Sequence, residues 1–205
     1  MNDPTHRQIA LFGGSFNPPH ICHTLATLWV LQTQPIDEVW WIPTYQHAFN
    51  KELAPFEDRV AMCRRAIDDL ARVRIDLIEQ ALGGESRTID TVQALAERNK
   101  NTRFWLVVGA DILGEVDRWK DWRGLLQKVR LIVIGRRGFE RNAALGADPS
   151  ALPTADSADL ELPDVSSTRI RNALRDRDYD AIGAWIPRSI LDYIAEHNLY
   201  CGEEG

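Results

Sequence analysis

Cysteine is scarce: Cys22, Cys63 and Cys201 are the only three in 205 residues. They lie far apart and are odd in number, so they form no disulfide framework, and a reducing cytoplasm is the expected setting. No apolar run approaches the ~20 residues that span a bilayer, which excludes a spanning helix. The polar start MNDPTHRQ leads us to expect no signal peptide. Basic residues do not predominate either, with 24 Lys and Arg against 30 Asp and Glu and a net charge of −6. That balance argues against broad affinity for nucleic acid, which needs a basic face, yet it leaves room for a small local anion site. Internal repeats and low-complexity blocks are missing. So are the GxGxxG dinucleotide fingerprint and the Gly-Lys-Ser/Thr ending of a P-loop.

What remains is ordinary globular composition, 44% hydrophobic and 26% charged, in a length that suits a single domain over residues 1–205. β-branched apolar runs predict strands at Gln8–Phe12, Glu38–Pro43, Val73–Ile78, Arg103–Val108, Val129–Ile134 and Asp159–Leu162. Between them, helical spacing of Val60, Cys63, Ile67 and Leu70 predicts a helix over Phe56–Leu70, and Ile89, Val92 and Leu95 predict another over Thr88–Arg98. A further helix is expected in Ile186–Tyr200, with Pro187 as its first residue. Strands alternating with helices imply an α/β fold: a Rossmann-like, doubly wound, mainly parallel sheet covered on both faces. Such sheets bind ligands beyond the carboxyl ends of their strands. Glu140–Val165, rich in Ala, Asp and Pro without a period, reads as a long mobile surface loop.

The stretch FGGSFNPPHICH, Phe12 to His23, follows the first strand. Gly13 and Gly14 let the backbone approach a ligand that a Cβ would hold away. Pro18 and Pro19 stiffen the turn, and the helix beginning near His20 or Ile21 offers N–H groups and a positive dipole end. Strand, glycine turn and helix start together make a phosphate site. His20 and His23, three apart, share one face of the first turn. The competing reading is a tight turn carrying two surface histidines. A metal site of His20, Cys22 and His23 is disfavoured, because neighbours this close cannot all face one ion from a helix, and we expect no protein metal site. In VSSTRIRNALRD, Val165 to Asp176, Ser166, Ser167 and Thr168 can cap a helix bearing Arg169 and Arg171. That makes a second candidate anion site, or simply a capped, solvated, arginine-rich helix.

These motifs, GGSFNPPHxxH early and SSTxIR late, resemble the nucleotidyltransferase superfamily with the HxGH signature. Within it the chain is most similar to the bacterial nicotinate-mononucleotide adenylyltransferases, which make deamido-NAD from ATP. VVGAD at Val107–Asp111, Trp119 after it, and IGRRGF at Ile134–Phe139 add to the resemblance, which covers nearly the whole chain. The resemblance implies attack of a mononucleotide phosphate on the α-phosphorus of ATP with release of pyrophosphate. The nucleophile is already anionic, so catalysis would rest on positioning and charge stabilisation. His20, His23, Lys51 and Arg171 are then the expected catalytic contacts. Gly13, Gly14, Ser15, Phe16, Gly109, Arg136, Ser167 and Thr168 would hold ATP, with the helical part from about 166 to 200 completing the site. Arg87, Thr88, Thr91, Asp111 and Trp119 would hold the acceptor, the indole stacking on a pyridine ring. Mg²⁺ is expected to bridge phosphate oxygens.

The chain departs from the family pattern at three places. Cys22 replaces a glycine and, as a small hydrophobe, is expected to be structural. A Pro-Pro-His-Lys segment is missing, so Lys51, with His47 second, is the chosen phosphate contact. Arg87 replaces an aromatic and offers a cation to a carboxylate. Nicotinamide mononucleotide as acceptor, a pantetheine-phosphate adenylyltransferase or cytidylyltransferase activity, and an inactive nucleotide-binding regulator stay open as alternatives. Expected partners are ATP and nicotinate mononucleotide, with no nucleic acid and no membrane; a homo-oligomer is left open.

Overall fold

The computed structural model describes residues 6–47, 53–110, 118–136 and 160–201, with backbone only at 47, 136 and 161. In chain order the strands are β1 (Arg7–Gly14), β2 (Glu38–Pro43), β3 (Gln46–His47), β4 (Val73–Ile75), β5 (Glu85–Ser86), β6 (Thr102–Gly109), β7 (Val129–Arg136) and β8 (Glu161–Leu162). The helices are α1 (Ile21–Thr33), α2 (Phe56–Ile67), α3 (Ile78–Leu82), α4 (Thr88–Arg98), α5 (Trp122–Leu126), α6 (Ser167–Arg175) and α7 (Arg188–Glu196). Six strands form one sheet in the order β4-β2-β1-β6-β7-β8, every pair parallel. A second, two-stranded piece pairs β3 with β5. Strand order reverses direction at β1, between β2 and β6, which is where such sheets bind ligands.

The period of two along each strand divides the core. Ile9, Leu11, Trp40, Ile42, Phe104 and Leu106 face one side with Ile89, Val92 and Leu95 of α4. Ala10, Val39, Trp41, Trp105 and Ile132 face the other with Ala26 and Val30 of α1 and Cys63 of α2. Both faces are covered, which is why these strands read as continuous apolar runs rather than alternating ones. Full burial of an Ile or Leu contributes about 1.5–3 kcal/mol. Ile9 and Leu11 are both essentially buried, so the strand that leads into the glycine turn is firmly anchored. The indole N–H groups buried with them are satisfied: Trp41 donates to Thr27 Oγ1 (2.8 Å) and Trp105 to Gln8 Oε1 (2.9 Å). A third cluster packs α6 and α7 through Ile170, Leu174, Ile190 and Ile194 onto Cys22 of α1 and Met62 of α2. This cluster brings the two ends of the sequence together.

Several boundaries differ from expectation. The strand expected to reach Ile78 stops at Ile75, because Asp76 Oδ1 accepts the Ile78 N–H (3.0 Å) and turns the chain into α3. The helix at Phe56 ends at Ile67 instead of Leu70. Pro187 occupies the capping position before α7 rather than its first turn. Of the expected strand at 159–162 only Glu161–Leu162 forms, and residue 159 and most of the expected 140–165 loop lie outside the described residues. The approach of β8 to β7 is tight: a Cβ on Gly135 would stand 2.7 Å from the Leu160 carbonyl oxygen, so glycine is required there. No described helix is long and apolar enough to cross a membrane.

Candidate active site

One cleft of about 710 Å³ opens at the carboxyl ends of β1, β2, β6 and β7. At one end it is lined by Gly13, Gly14, Ser15, His20, Cys22 and His23. At the other lie Glu79, Ser86, Arg87, Thr88, Thr91 and Trp119, and Gly109 at the carboxyl end of β6, opposite the glycine turn, also lines it. A Cβ on Gly13 would meet nothing within 4 Å, so the bare backbone there faces open space that a ligand can fill. On Gly14 it would press on the Phe16 ring at 3.2 Å. Phe16 itself departs from expectation. Its ring is buried and stacks on Trp41 (centroids 4.7 Å apart, planes 1° apart), so its side chain supports the turn from below rather than facing a nucleotide.

The start of α1 is arranged differently from a bare helix end. The Ile21 N–H donates to the Trp185 carbonyl (2.8 Å), the His20 N–H to His23 Nδ1 (3.0 Å), and the His23 N–H to the His20 carbonyl (2.9 Å). Of the N–H groups expected at this helix start, those of His20 and Ile21 are taken by the second imidazole and the C-terminal region. The arrangement fixes something else. With Nδ1 accepting a backbone N–H, neutral His23 carries its proton on Nε2 and is a hydrogen-bond donor through that atom. The His20 ring lies 3.9 Å from it, centroid to centroid, and is buried. Cys22 is also buried, its Sγ 3.5 Å from the Pro163 carbonyl, as a packing residue between α1 and the C-terminal cluster.

The second motif supports the first. Ser166 caps α6 by accepting the Arg169 N–H (3.3 Å). Ser167 Oγ donates to the Pro18 carbonyl (2.9 Å), and Arg171 donates through Nη1 to the Asn17 carbonyl (2.8 Å) and through Nη2 to Thr168 Oγ1 (3.3 Å). Arg171, Ser167 and Thr168 thus lie beside the glycine turn but outside the cleft lining; Arg171 and Ser167 grip the turn's backbone. Lys51 and Asp111 fall outside the described residues, and nothing is described of the side chains of His47 and Arg136.

The end of the cleft that carries Trp119 is held by a buried acid. Glu79 Oε1 accepts the Thr91 hydroxyl (3.0 Å), and Oε2 accepts the Tyr45 N–H (3.2 Å). Burial pushes the Glu79 carboxyl above the usual carboxylate range, opposed by hydrogen bonds from Ser86, Thr91 and Tyr45 and by the charge of Arg59. Arg87 lines the cleft with its guanidinium paired to Glu85 (2.7 Å), and Lys120 is paired to Asp90 at 3.0 Å from both oxygens. The cation expected of Arg87 is therefore already partly offset. Trp119 packs edge-on against Trp122 with centroids 5.5 Å apart.

Sequence reading missed Glu79, and it missed Arg59, which is 1% exposed. Arg59 donates to the carbonyls of Ala54 (2.9 Å), Ser15 (2.8 Å) and Tyr45 (3.4 Å), and burial lowers its pKa. A signal existed, since Arg59 precedes Cys63 and Ile67 at steps of four on the apolar face of α2. Among the described residues no group of three or more His, Cys, Asp and Glu side chains is placed to hold a metal ion.

The fold and this cleft define a nucleotide-binding α/β protein. The cytidylyltransferase-like family matches residues 11–173. A protein of Anaeromyxobacter dehalogenans named "Probable nicotinate-nucleotide adenylyltransferase" is 42% identical over 96% of this chain and 98% of its own. A protein of Myxococcus xanthus with the same name is 37% identical over 94% of each. In fold, the chain resembles the Plasmodium falciparum nicotinic acid mononucleotide adenylyltransferase complexed with NaAD, at a TM-score of 0.78, 22% identity, and 95% and 98% coverage. The chain belongs to the cytidylyltransferase-like family and, within it, to the nicotinate-nucleotide adenylyltransferases.

Proposed function

We propose that this nucleotidyltransferase moves the adenylyl group of ATP to nicotinate mononucleotide, giving deamido-NAD and pyrophosphate. A phosphate oxygen of the mononucleotide attacks the α-phosphorus. The bond from that phosphorus to the α,β-bridging oxygen breaks, and its electron pair leaves with pyrophosphate. The acceptor phosphate is already anionic, so no side-chain nucleophile or general base is needed. His23 donates through Nε2 to phosphate oxygens on which charge grows, and His20 packs against it as a second donor. Gly13, Gly14 and Ser15 admit the triphosphate against the backbone, with Gly109 on the opposite lip. Arg171 and Ser167 act by holding the turn, Thr168 by accepting a hydrogen bond from Arg171, and Lys51 and Arg136 complete the phosphate contacts. Trp119 stacks on the pyridine ring, Arg87, Thr88 and Thr91 face its carboxylate, and Asp111 orders the ribose. Mg²⁺ enters with ATP as part of the substrate. Residues 1–205 act as one domain, a cytoplasmic enzyme.

The observation that supports this reading best is one continuous cleft with the histidine pair at one end and Trp119, Thr88 and Thr91 at the other. The test is the purified protein with ATP, Mg²⁺ and each acceptor in turn, following pyrophosphate and dinucleotide. Product with nicotinate mononucleotide, at a higher kcat/KM than with nicotinamide mononucleotide, is expected. Pyrophosphate released only with phosphopantetheine, or ATP bound without any release, would overturn it.

A further inference from the structure

Glu79 touches the cleft without belonging to any motif. It is 8% exposed and sits under the acceptor end. A buried carboxylate is costly unless its lone pairs are met by donors. Here they are met by the Thr91 hydroxyl and Ser86, which line the acceptor wall, and by the Tyr45 amide, next in sequence to Thr44 of that lining. Ser86 is itself committed, since its Oγ accepts the Tyr45 N–H (3.0 Å) and the Gln46 N–H (3.3 Å), which leaves its own hydrogen for the acid. Thr91 has one other acceptor in reach, the Arg87 carbonyl at 3.3 Å. One side chain on α3 therefore ties β3, β5 and the first turn of α4 into a single arrangement. These are the segments that carry Ser86, Arg87, Thr88 and Thr91 into the cleft.

We infer that Glu79 is a positioning residue for the acceptor: by collecting these donors it sets the wall that reads the anionic group on the mononucleotide's ring. This rests on the proposed function. Glu79 need not touch the substrate; it acts through Thr91, Ser86 and the Tyr45 peptide. Replacing it with alanine leaves three donors competing for no common acceptor. Glutamine keeps the geometry, because its carbonyl still accepts from Tyr45 and Ser86 while its amide faces Thr91, whose hydroxyl turns to the Arg87 carbonyl.

The experiment is calorimetric titration of the full chain with nicotinate mononucleotide and, separately, with a non-hydrolysable ATP analogue. Glu79→Ala should weaken mononucleotide binding about tenfold or more, the size expected when buried donors lose their acceptor, while analogue binding stays within about twofold. Glu79→Gln should restore mononucleotide binding to within about threefold of the parent. Should Glu79→Ala not fold, Glu79→Asp, which draws the carboxylate back by one methylene, takes its place and should show the same selective loss at smaller size. Equal losses for both ligands, unchanged or tighter mononucleotide binding, or a glutamine variant as weak as the alanine one would overturn the role. If the parent chain binds no mononucleotide, the acceptor reading itself fails and takes this inference with it. If the parent binds and the variants bind alike, only the role of Glu79 falls.

Discussion

Under the proposed function one end of the cleft takes the phosphates and the other the acceptor, and each is organised by one buried charge, of opposite sign. At the phosphate end Arg59 aims its guanidinium at backbone carbonyls of the turn and of the segment entering α2. At the acceptor end Glu79 collects a backbone amide and hydroxyls. Both touch the same residue: Arg59 reaches the Tyr45 carbonyl and Glu79 accepts the Tyr45 amide. The phosphate end is further locked by donors from far along the chain, Ser167, Arg171 and Tyr200, all directed at Asn17 and Pro18. The acceptor end is tied by Glu79 to Tyr45 and Thr91, and its ion pairs Arg87–Glu85 and Lys120–Asp90 are solvent-exposed and worth little. A rigid phosphate cradle suits a reaction whose catalysis is charge stabilisation by preorganised donors. An acceptor wall tied by one buried acid and edged by exposed ion pairs is where specificity can change without disturbing that cradle.

The difference is sharpened by substitutions that should separate turnover from binding. His23→Ala should lower kcat by about 10²–10³-fold, as for loss of one transition-state donor, with ATP affinity changed far less. It also leaves the His20 amide without its acceptor, so His23→Asn is the companion variant; equal losses in turnover and affinity in both would deny His23 a transition-state role. Trp119→Ala should raise the mononucleotide KM about tenfold through lost ring stacking and leave the KM for ATP nearly unchanged. A defect confined to ATP would move Trp119 out of the acceptor wall and erase the contrast between the two ends.

How much of this was legible before the structure follows the same division. The phosphate end is built from contiguous residues whose types report local chemistry: glycines where a Cβ would intrude, and Ser166 where a helix needs a cap. Strands buried on both faces announced themselves as apolar runs, and β2 and α4 begin and end where expected. Arg171 was recognised, but its partner was not, because the Asn17 carbonyl lies far away in sequence and only the packing of α6 on the turn brings it near. Glu79 left no trace at all. A single acid in a five-residue helix looks like any solvated one until β3, β5 and α4 close around it. Phe16 shows the opposite case: its place inside the motif suggested a ligand contact, and nothing in the sequence told that its ring stacks on Trp41 beneath the turn.

The long-range lock on the phosphate end can be loosened by one atom. Tyr200 donates its hydroxyl to Asn17 Oδ1 (2.8 Å), an oxygen that also accepts the Ala54 N–H (3.0 Å). Tyr200→Phe keeps the ring and one of the two bonds, so denaturant unfolding should show a loss of about 1 kcal/mol. If the lock matters for the cradle, kcat/KM for ATP should fall by up to about threefold, with the mononucleotide KM unmoved. An acceptor-side change would mean that the two ends are coupled through the C-terminal region and not only through Tyr45.

The smallest effect, and the most direct on the buried acid, is the pH dependence of stability. Burial holds the Glu79 carboxyl above its ordinary value of 4.5, so over a window starting there the folded chain keeps a proton that the unfolded chain has lost. Stability from this group is therefore fully present below the unfolded pKa and is lost as pH rises through the raised folded value, the reverse of a carboxylate in a salt bridge. Arg59 and the three hydrogen bonds oppose the shift and keep the loss modest. Glu79→Gln cannot titrate, so the Tm of the parent minus that of the variant should decline as pH rises from the ordinary value of 4.5 through the raised folded value, and then level off. A difference that is flat across that range would show that Glu79 pays no burial cost on ionising. A difference that grows with pH would make its hydrogen bonds and Arg59 the dominant influence, and Glu79 would then differ from Arg59, whose charged form burial disfavours.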